Sequence, residues 1–298
     1  SKLITFTTNF MDTPKLSNFI WINGQFVPWD EANIHVITHS LHYAGAVYEG
    51  QRAYNGTVFK LGEHTERLFA SAKVMGLKIN YTSEQINKIT YELLEKNNLK
   101  DAYIRPLIWR GSQSIGLAAP NLSVNIMIAA IHSKKDLINN MRLMLSPWRK
   151  APVNALPPQA KSSAHYGMAI VSQTMAKDNG YDDSLVLDHE GFVAECNVAN
   201  IFFGKDNKLV TPIADRFLNG ITRQVVISMA KNMGFDAREE RIKLEDLGNY
   251  DYCFMTGTSK EIAGVIEINL GDLGSCLFSD PLEKVKMLQK EFAILVGK

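Results

Sequence analysis

Two Asn-Gly pairs constrain this chain most. Asn23-Gly24 lies inside "FIWINGQFV" and Asn55-Gly56 inside "VYEGQRAYNGTVFKL", each between apolar runs. A two-residue hairpin turn of type I′ needs φ > 0 at both central positions, and Asn-Gly reaches that region with little steric strain. Both stretches are therefore predicted to be antiparallel hairpins. Helical patterns follow. "EHTERLFASAKVMG" sets Leu68, Ala72 and Met75 on one face and stops at Gly76. "TSEQINKITYELLEKNN" opens with Thr82 and Gln85 at capping-box spacing. "AYIRPLIWRG" and "VNIMIAAIH" read as further strands, so residues 1–132 form a small α+β domain with a largely antiparallel sheet.

The polar run "SKKDLINN", residues 133–140, breaks the apolar rhythm and reads as an interdomain linker. Residues 141–298 form the larger domain. Strands are predicted at "MRLMLSPW", in the pair "SLVLDHEGFVAE" turning at His189-Glu190-Gly191, and at "NIFFG" and "DYCFMTG". Helices are predicted at "MAIVSQTMAKDNG", at "ITRQVVISMAKNMG" and from Pro281 onward. Short, hairpin-linked strands favour a barrel-like β core wrapped by helices over a doubly wound sheet. The fold class is α+β, in two domains.

Bulk properties exclude several functions. A chain of 298 residues exceeds one small core. Its formal net charge of +1 leaves no footprint for nucleic acid. No run has the length of a membrane span, and no signal peptide is visible. Cys196, Cys253 and Cys276 are scattered, which argues against a disulfide framework or a structural zinc and points to the reducing cytoplasm. GxxxxGK[ST], GxGxxG after a strand, HExxH and GxSxG are all missing. His39, His42, His64 and His189 share no metal spacing, so no metal is expected.

A constellation in the second domain remains. Lys161 stands in "ALPPQAKSSAHYG", behind two prolines and before small residues and Tyr166. Most lysines are solvated surface residues; one held in a tight turn can also attack a carbonyl. Glu195 ends an apolar strand in "FVAECNVANIFF" and is a candidate partly buried acid, which would need a partner, or else a surface acid beside a turn. Gly220 before Ile221 and Thr222, and Gly257 before Thr258 and Ser259, read as two helix starts able to cup an anion, although glycine and threonine also cap helices for structural reasons alone. Two cups, a lysine and a carboxylate in one domain suit a phosphorylated cofactor that forms an imine.

Over nearly its whole length the chain resembles the fold-type IV pyridoxal-phosphate enzymes, and most closely the branched-chain amino-acid aminotransferases. The matching stretches are "HSLHYAGAVYEGQRAY", "FKLGEHTERL", "AYIRPLIWRG", "ALPPQAKSSAHY", "GFVAECNVANIF", "NGITRQ" and "FMTGTSKEI". The resemblance implies pyridoxal 5'-phosphate as cofactor and ping-pong transamination of leucine, isoleucine and valine with 2-oxoglutarate. It implies that Lys161 forms the internal aldimine and carries the proton, and that Tyr166 bonds the cofactor's phenolic oxygen. It assigns Glu195 to the pyridine nitrogen, and Ile221, Thr222 and Thr258 to the phosphate. Lys60 falls where the family usually has an arginine reaching the phosphate, keeping the charge without the bidentate fork. Ser162, Ser163 and Ala164 would let the ring come close. Tyr43, Tyr48, Tyr103 and Arg105 are expected to line the substrate pocket, with Arg105 meeting the distal carboxylate of glutamate; a sheet ion pair is the alternative for Arg105. The amides of Thr258 and Ser259 would hold the α-carboxylate. The partners implied are small amino acids and 2-oxo acids, together with a second copy of the chain, because in the family the residue at Tyr43 comes from the neighbouring subunit. A homodimer is then the minimum.

Two departures bear on specificity. Tyr48 replaces the usual phenylalanine, and "IHSKKD" after Ala130 carries no aromatic where the family has a tryptophan, so a wider or more polar pocket is expected. Other readings stay open: a D-amino-acid or (R)-amine transaminase of the same fold type, an aminodeoxychorismate lyase, or a non-catalytic protein that kept the fold.

Overall fold

The structure is a computed structural model that describes residues 16–118, 121–133, 137–278 and 283–298. The first lobe runs β1 (Phe19–Ile22), β2 (Gln25–Pro28), α1 (His39–Tyr43), β3 (Val47–Tyr48), β4 (Gln51–Tyr54), β5 (Thr57–Val58), α2 (Leu61–Val74), α3 (Ser83–Lys96), β6 (Ala102–Arg110) and β7 (Val124–His132). Its sheet has the order β2-β1-β7-β6-β4-β5, with β3 also on β6, and every pairing is antiparallel. Both Asn-Gly turns are there: Asn23 and Asn55 have φ of 48°, followed by Gly24 at 96° and Gly56 at 87°. Thr82 and Gln85 form the capping box at the start of α3, a cap worth about 1 kcal/mol. Side-chain alternation along β6 sends Ile104 and Ile108 into the core beneath α2 and α3. The same alternation turns Tyr103 and Arg105 to the other face, toward a cavity.

The second lobe runs β8 (Met141–Arg149), α4 (Tyr166–Asp178), β9 (Asp183–Leu187), β10 (Val193–Cys196), β11 (Asn200–Lys205), β12 (Lys208–Pro212), α5 (Ile221–Asn232), β13 (Asp236–Glu240), β14 (Tyr252–Gly257), β15 (Glu261–Asn269), β16 (Ser275–Leu277) and α6 (Glu283–Leu295). Its sheet has the order β10-β9-β8-β15-β14-β11-β12-β13, with β16 on β15. The sheet curls as a half-barrel: the Cys196 N–H bonds Ala199 O at 2.8 Å, folding edge strand β10 back onto the start of β11. The barrel-like core thus holds, but it is not built from hairpins alone. β8 runs parallel to β9 and to β15, and β12 parallel to β13. Parallel neighbours need a crossover, and α4 and α5 supply two of them.

One of the two expected helix starts is a turn instead. Gly257 to Lys260 is the turn of the β14–β15 hairpin, closed by Lys260 N–H to Gly257 O at 3.0 Å. The apolar run "EIAGVIEIN" that follows pairs as β15 in the middle of the sheet. Of the two glycines, Gly220 alone precedes a helix. The linker and Pro281 lie partly or wholly outside the described residues, and α6 is described from Glu283.

Candidate active site

A cavity of about 450 Å3 opens between the lobes, and Lys161 stands in its wall. The loop that carries the lysine is pinned to the first lobe. Lys161 N–H donates to Ser71 Oγ at 2.9 Å, and Tyr48 N–H donates to Lys161 O at 3.1 Å. Ser163 Oγ donates to Ala44 O at 2.7 Å. The small residues after the lysine therefore act as fasteners: Ser162 is fully buried and bridges to Val47. The Lys161 amine donates to Tyr166 OH at 2.7 Å. Burial pulls its pKa down to about 8; Arg67 and Arg105 push the same way, while Glu49 and Glu195 oppose them. Burial likewise raises the Tyr166 phenol far above its ordinary value. A lysine with a pKa near 8 offers a usable fraction of free amine at neutral pH.

Glu195 also lines the cavity. A register shift between Val193 and Glu195 marks a bulge in β10, the kind of defect that re-aims a side chain. The carboxylate is buried, its Oε1 lies 2.7 Å from Lys150 Nζ, and its Oε2 accepts from Asn200 Nδ2 at 3.1 Å. Burial raises the Glu195 pKa and Lys150 opposes that rise. The sequence demands a partner for this acid without marking one. Lys150 lies 45 residues upstream on a different segment, so no local signal could have identified it.

The lining also includes the start of α5, a helix end able to cup an anion. Gly220 caps α5, and the first N–H groups of the helix lack intrahelical acceptors. A Cβ on Gly220 would lie 2.2 Å from Asn200 Oδ1, so a side chain there would displace the residue bracing Glu195. Ile221, Thr222, Thr258 and Ser259 all line the cavity. Neither Thr258 N–H nor Ser259 N–H meets an acceptor among the described residues.

Lys60 does not reach this cup. It precedes α2 with φ 55°, and its half-exposed amine turns to Glu63 at 2.6 Å. The cavity lies beside a later turn of the helix, where Arg67 lines it, two helical turns and about 10 Å further along. Arg67 is braced by Glu49 and bonds Asn219 O at 3.4 Å, just ahead of α5. The guanidinium whose fork Lys60 lacks is therefore present, at Arg67. His64 and Arg67, three apart on one helix face, were the available signal.

Tyr48, Tyr103 and Arg105 stand in the same lining. Arg105 Nη2 donates to Tyr103 OH at 2.6 Å, and its guanidinium lies 4.6 Å from the Tyr48 ring centroid and 5.2 Å from that of Tyr103. Arg105 has no carboxylate partner among the described residues, and its buried Nε is unpaired there. Tyr103 packs against Gly50, just ahead of β4, where a Cβ would sit 2.5 Å from its hydroxyl. Tyr43 is placed elsewhere. It is 44% exposed, bonds Ile115 O at 2.9 Å, and lies outside the cavity of its own chain.

These residues fit a phosphorylated ring carrying an aldehyde. An anion cup, an amine of lowered pKa and a buried carboxylate share one cavity, and the buried Thr256 Oγ1 in its lining has no partner among the described residues. The model of the amino-transferase class IV family matches residues 46–268. The chain belongs to that family. A probable branched-chain-amino-acid aminotransferase of Rickettsia bellii is 52% identical over 279 residues, 93% of this chain and 96% of the relative. The branched-chain aminotransferase of the archaeon Thermoproteus uzoniensis, solved with norvaline, superimposes with a TM-score of 0.87 at 35% identity, covering 95% of this chain and 96% of that one. A T.th. branched-chain amino acid aminotransferase, complexed with N-(5'-phosphopyridoxyl)-L-glutamate, does so with a TM-score of 0.89 at 34% identity over 94% of each chain. Within the family, this enzyme groups with the branched-chain-amino-acid aminotransferases. Among the described residues no helix is long and apolar enough to cross a membrane.

Proposed function

We propose that the enzyme moves amino groups between branched-chain L-amino acids and 2-oxoglutarate in ping-pong order, in the cytoplasm, with pyridoxal 5'-phosphate held at Lys161. One observation carries the proposal: Lys161, Tyr166, Glu195 and the first turn of α5 all open into a single cavity with Arg105 at its side. The bound cofactor supplies an aldehyde and a ring that accepts an electron pair. The α5 terminus, Thr258 and Arg67 would hold its phosphate, and Glu195, whose upward shift from burial Lys150 opposes, would pair with its ring nitrogen. Lys161 would then move the proton at the substrate's α-carbon, its lowered pKa suiting both halves of that task.

The lining around Arg105 would let one site serve two classes of substrate. Ile131, Leu156 and Val198 offer apolar walls to a branched side chain. The Arg105 cation, which has no carboxylate partner among the described residues, is available to glutamate. Tyr48 adds a hydroxyl to this wall, which supports the more polar pocket expected from the sequence.

The active unit in this proposal is a homodimer. α1 and its flanks expose Ile34, Val36, Leu41 and Tyr43, joined to the exposed Ile115 and Leu117 by the Tyr43–Ile115 and His39–Leu117 bonds. Tyr43, unused by its own cavity, would complete the partner's. The test is a half-reaction followed by cofactor absorbance. L-leucine and L-glutamate should convert the cofactor to its aminated form, while D-alanine and an (R)-amine should not. Conversion by D-alanine alone would reject the proposal. Comparing leucine with linear and aromatic amino acids tests the pocket's width, and sedimentation tests the dimer.

A further inference from the structure

The turn carrying Thr258 and Ser259 ends on a residue in an unfavourable conformation. Glu261, first in β15, has φ 53°, a region that long side chains avoid and that persists only when the surroundings over-determine it. Its carboxylate is buried and takes partners from distant parts of the chain. Tyr54 OH donates to Oε1 at 2.9 Å. Lys298 Nζ reaches Oε1 at 2.9 Å and Oε2 at 3.1 Å, and Arg52 Nε lies 3.6 Å from Oε1. Arg52 and Tyr54 belong to β4 in the first lobe, while Glu261 and Lys298 belong to the second.

The cluster is layered. The Arg52 guanidinium and Lys298 Nζ each lie 5.3 Å from the Tyr54 ring centroid, an arrangement that adds cation–π attraction to the ion pairs. Arg52 also donates from Nη2 to Ser133 O at 2.8 Å, fastening the start of the linker. A small cavity lined by Arg52, Tyr54, Thr222, Thr258 and Glu261 lies directly behind the turn, so the cluster and the anion cup share a wall.

We propose that Glu261 is a positioning residue, a clasp between the lobes that holds the Gly257–Lys260 turn in the shape that receives the substrate's α-carboxylate. The proposal rests on the functional reading above. Glu261 touches neither substrate nor cofactor and acts through the Thr258 and Ser259 amides of the turn. With the clasp broken, the positive φ loses this side-chain support and the turn loosens.

The test compares Glu261→Gln, Lys298→Met and Tyr54→Phe with the unaltered enzyme, in steady-state kinetics on L-leucine and in hydrogen exchange of the cofactor-free protein. Glu261→Gln is expected to raise KM for L-leucine at least tenfold with kcat within threefold, and to speed exchange across residues 257–261 at least tenfold. Lys298→Met and Tyr54→Phe should move both readings the same way by about threefold. A folded Glu261→Gln protein with KM within twofold and unaltered exchange overturns the proposal. If that variant does not fold, unaltered readings in both Lys298→Met and Tyr54→Phe overturn it. Exchange needs no substrate: should the unaltered enzyme prove inert toward L-leucine, faster exchange in the variants still supports the clasp and unaltered exchange still removes it.

Discussion

Arg67 and Glu49 meet as a two-point fork: Arg67 Nε donates to Glu49 Oε1 at 2.6 Å and Nη2 to Oε2 at 2.9 Å, with His64 Nδ1 also 2.7 Å from Oε2. Burial would lift the Glu49 pKa, but Arg67 and His64 outweigh it and hold the acid at about 2. A carboxyl lowered by folding contributes stability above its unfolded pKa near 4.5, and loses it as pH falls toward 2.

Glu49→Gln should therefore destabilise the protein by about 3 kcal/mol at pH 7, because it leaves a poorly solvated guanidinium unpaired. It should also weaken pyridoxal phosphate binding at least tenfold, since Arg67 loses its brace. Urea unfolding and cofactor titration measure the two effects. Lys60→Ala should leave cofactor affinity within twofold, and a tenfold loss there would return the phosphate role to Lys60.

Lys150 is expected to govern the charge on Glu195. Removing it in Lys150→Met takes away the largest opposition to burial and leaves only the weaker pull of Lys161, so the carboxyl rises and takes up a proton nearer neutral pH. The acid limb of the kcat–pH profile should shift upward and kcat at pH 7 should fall at least tenfold, with Lys150→Arg restoring most of both. An unmoved acid limb would show that Glu195 is held ionised some other way.

The half-buried Lys161 amine works against the cofactor-free fold. Its pKa is about 8 folded against 10.5 in the free side chain. Between those values the unfolded chain holds a proton that the folded one has shed, so stability of the cofactor-free protein should rise with pH across that window. Below pH 8 the penalty is complete, at most about 3 kcal/mol. Lys161→Met should abolish transamination and raise Tm of the cofactor-free protein by several degrees at pH 7. A lower Tm would contradict the burial argument.

Gln51 is fully buried on β4, and both atoms of its amide group lack partners among the described residues. Alternation places it on the same face as Ala53, in the core of the first lobe. Gln51→Met keeps the volume and removes the unpaired amide, so it should add about 1–2 kcal/mol. The urea midpoint should rise with an unchanged m-value.

What could be read in the sequence was what neighbouring residues decide together. The Asn-Gly turns depend on φ preferences at two adjacent positions, and the capping box at Thr82 on a spacing of three. Lys161, Tyr166, Glu195 and the α5 start sit on short motifs whose type and order carry the family resemblance. The misplaced features were those whose partners are remote. Gly257-Thr258-Ser259 resembles a helix start because only its pairing with β15 makes it a hairpin turn. Lys60 stands in for Arg67 in the sequence because the direction in which α2 presents each residue depends on where the second lobe packs.

By itself the sequence determined the local vocabulary of this protein: hairpins, helix ends, the lysine turn and the order of its motifs. Tertiary structure alone decided that Lys150 serves Glu195, that Glu49 aims Arg67, and that Glu261 joins the lobes. Conformational preference acts over a few residues of backbone, whereas a buried charge takes whichever partner the packing of distant segments brings within about 3 Å.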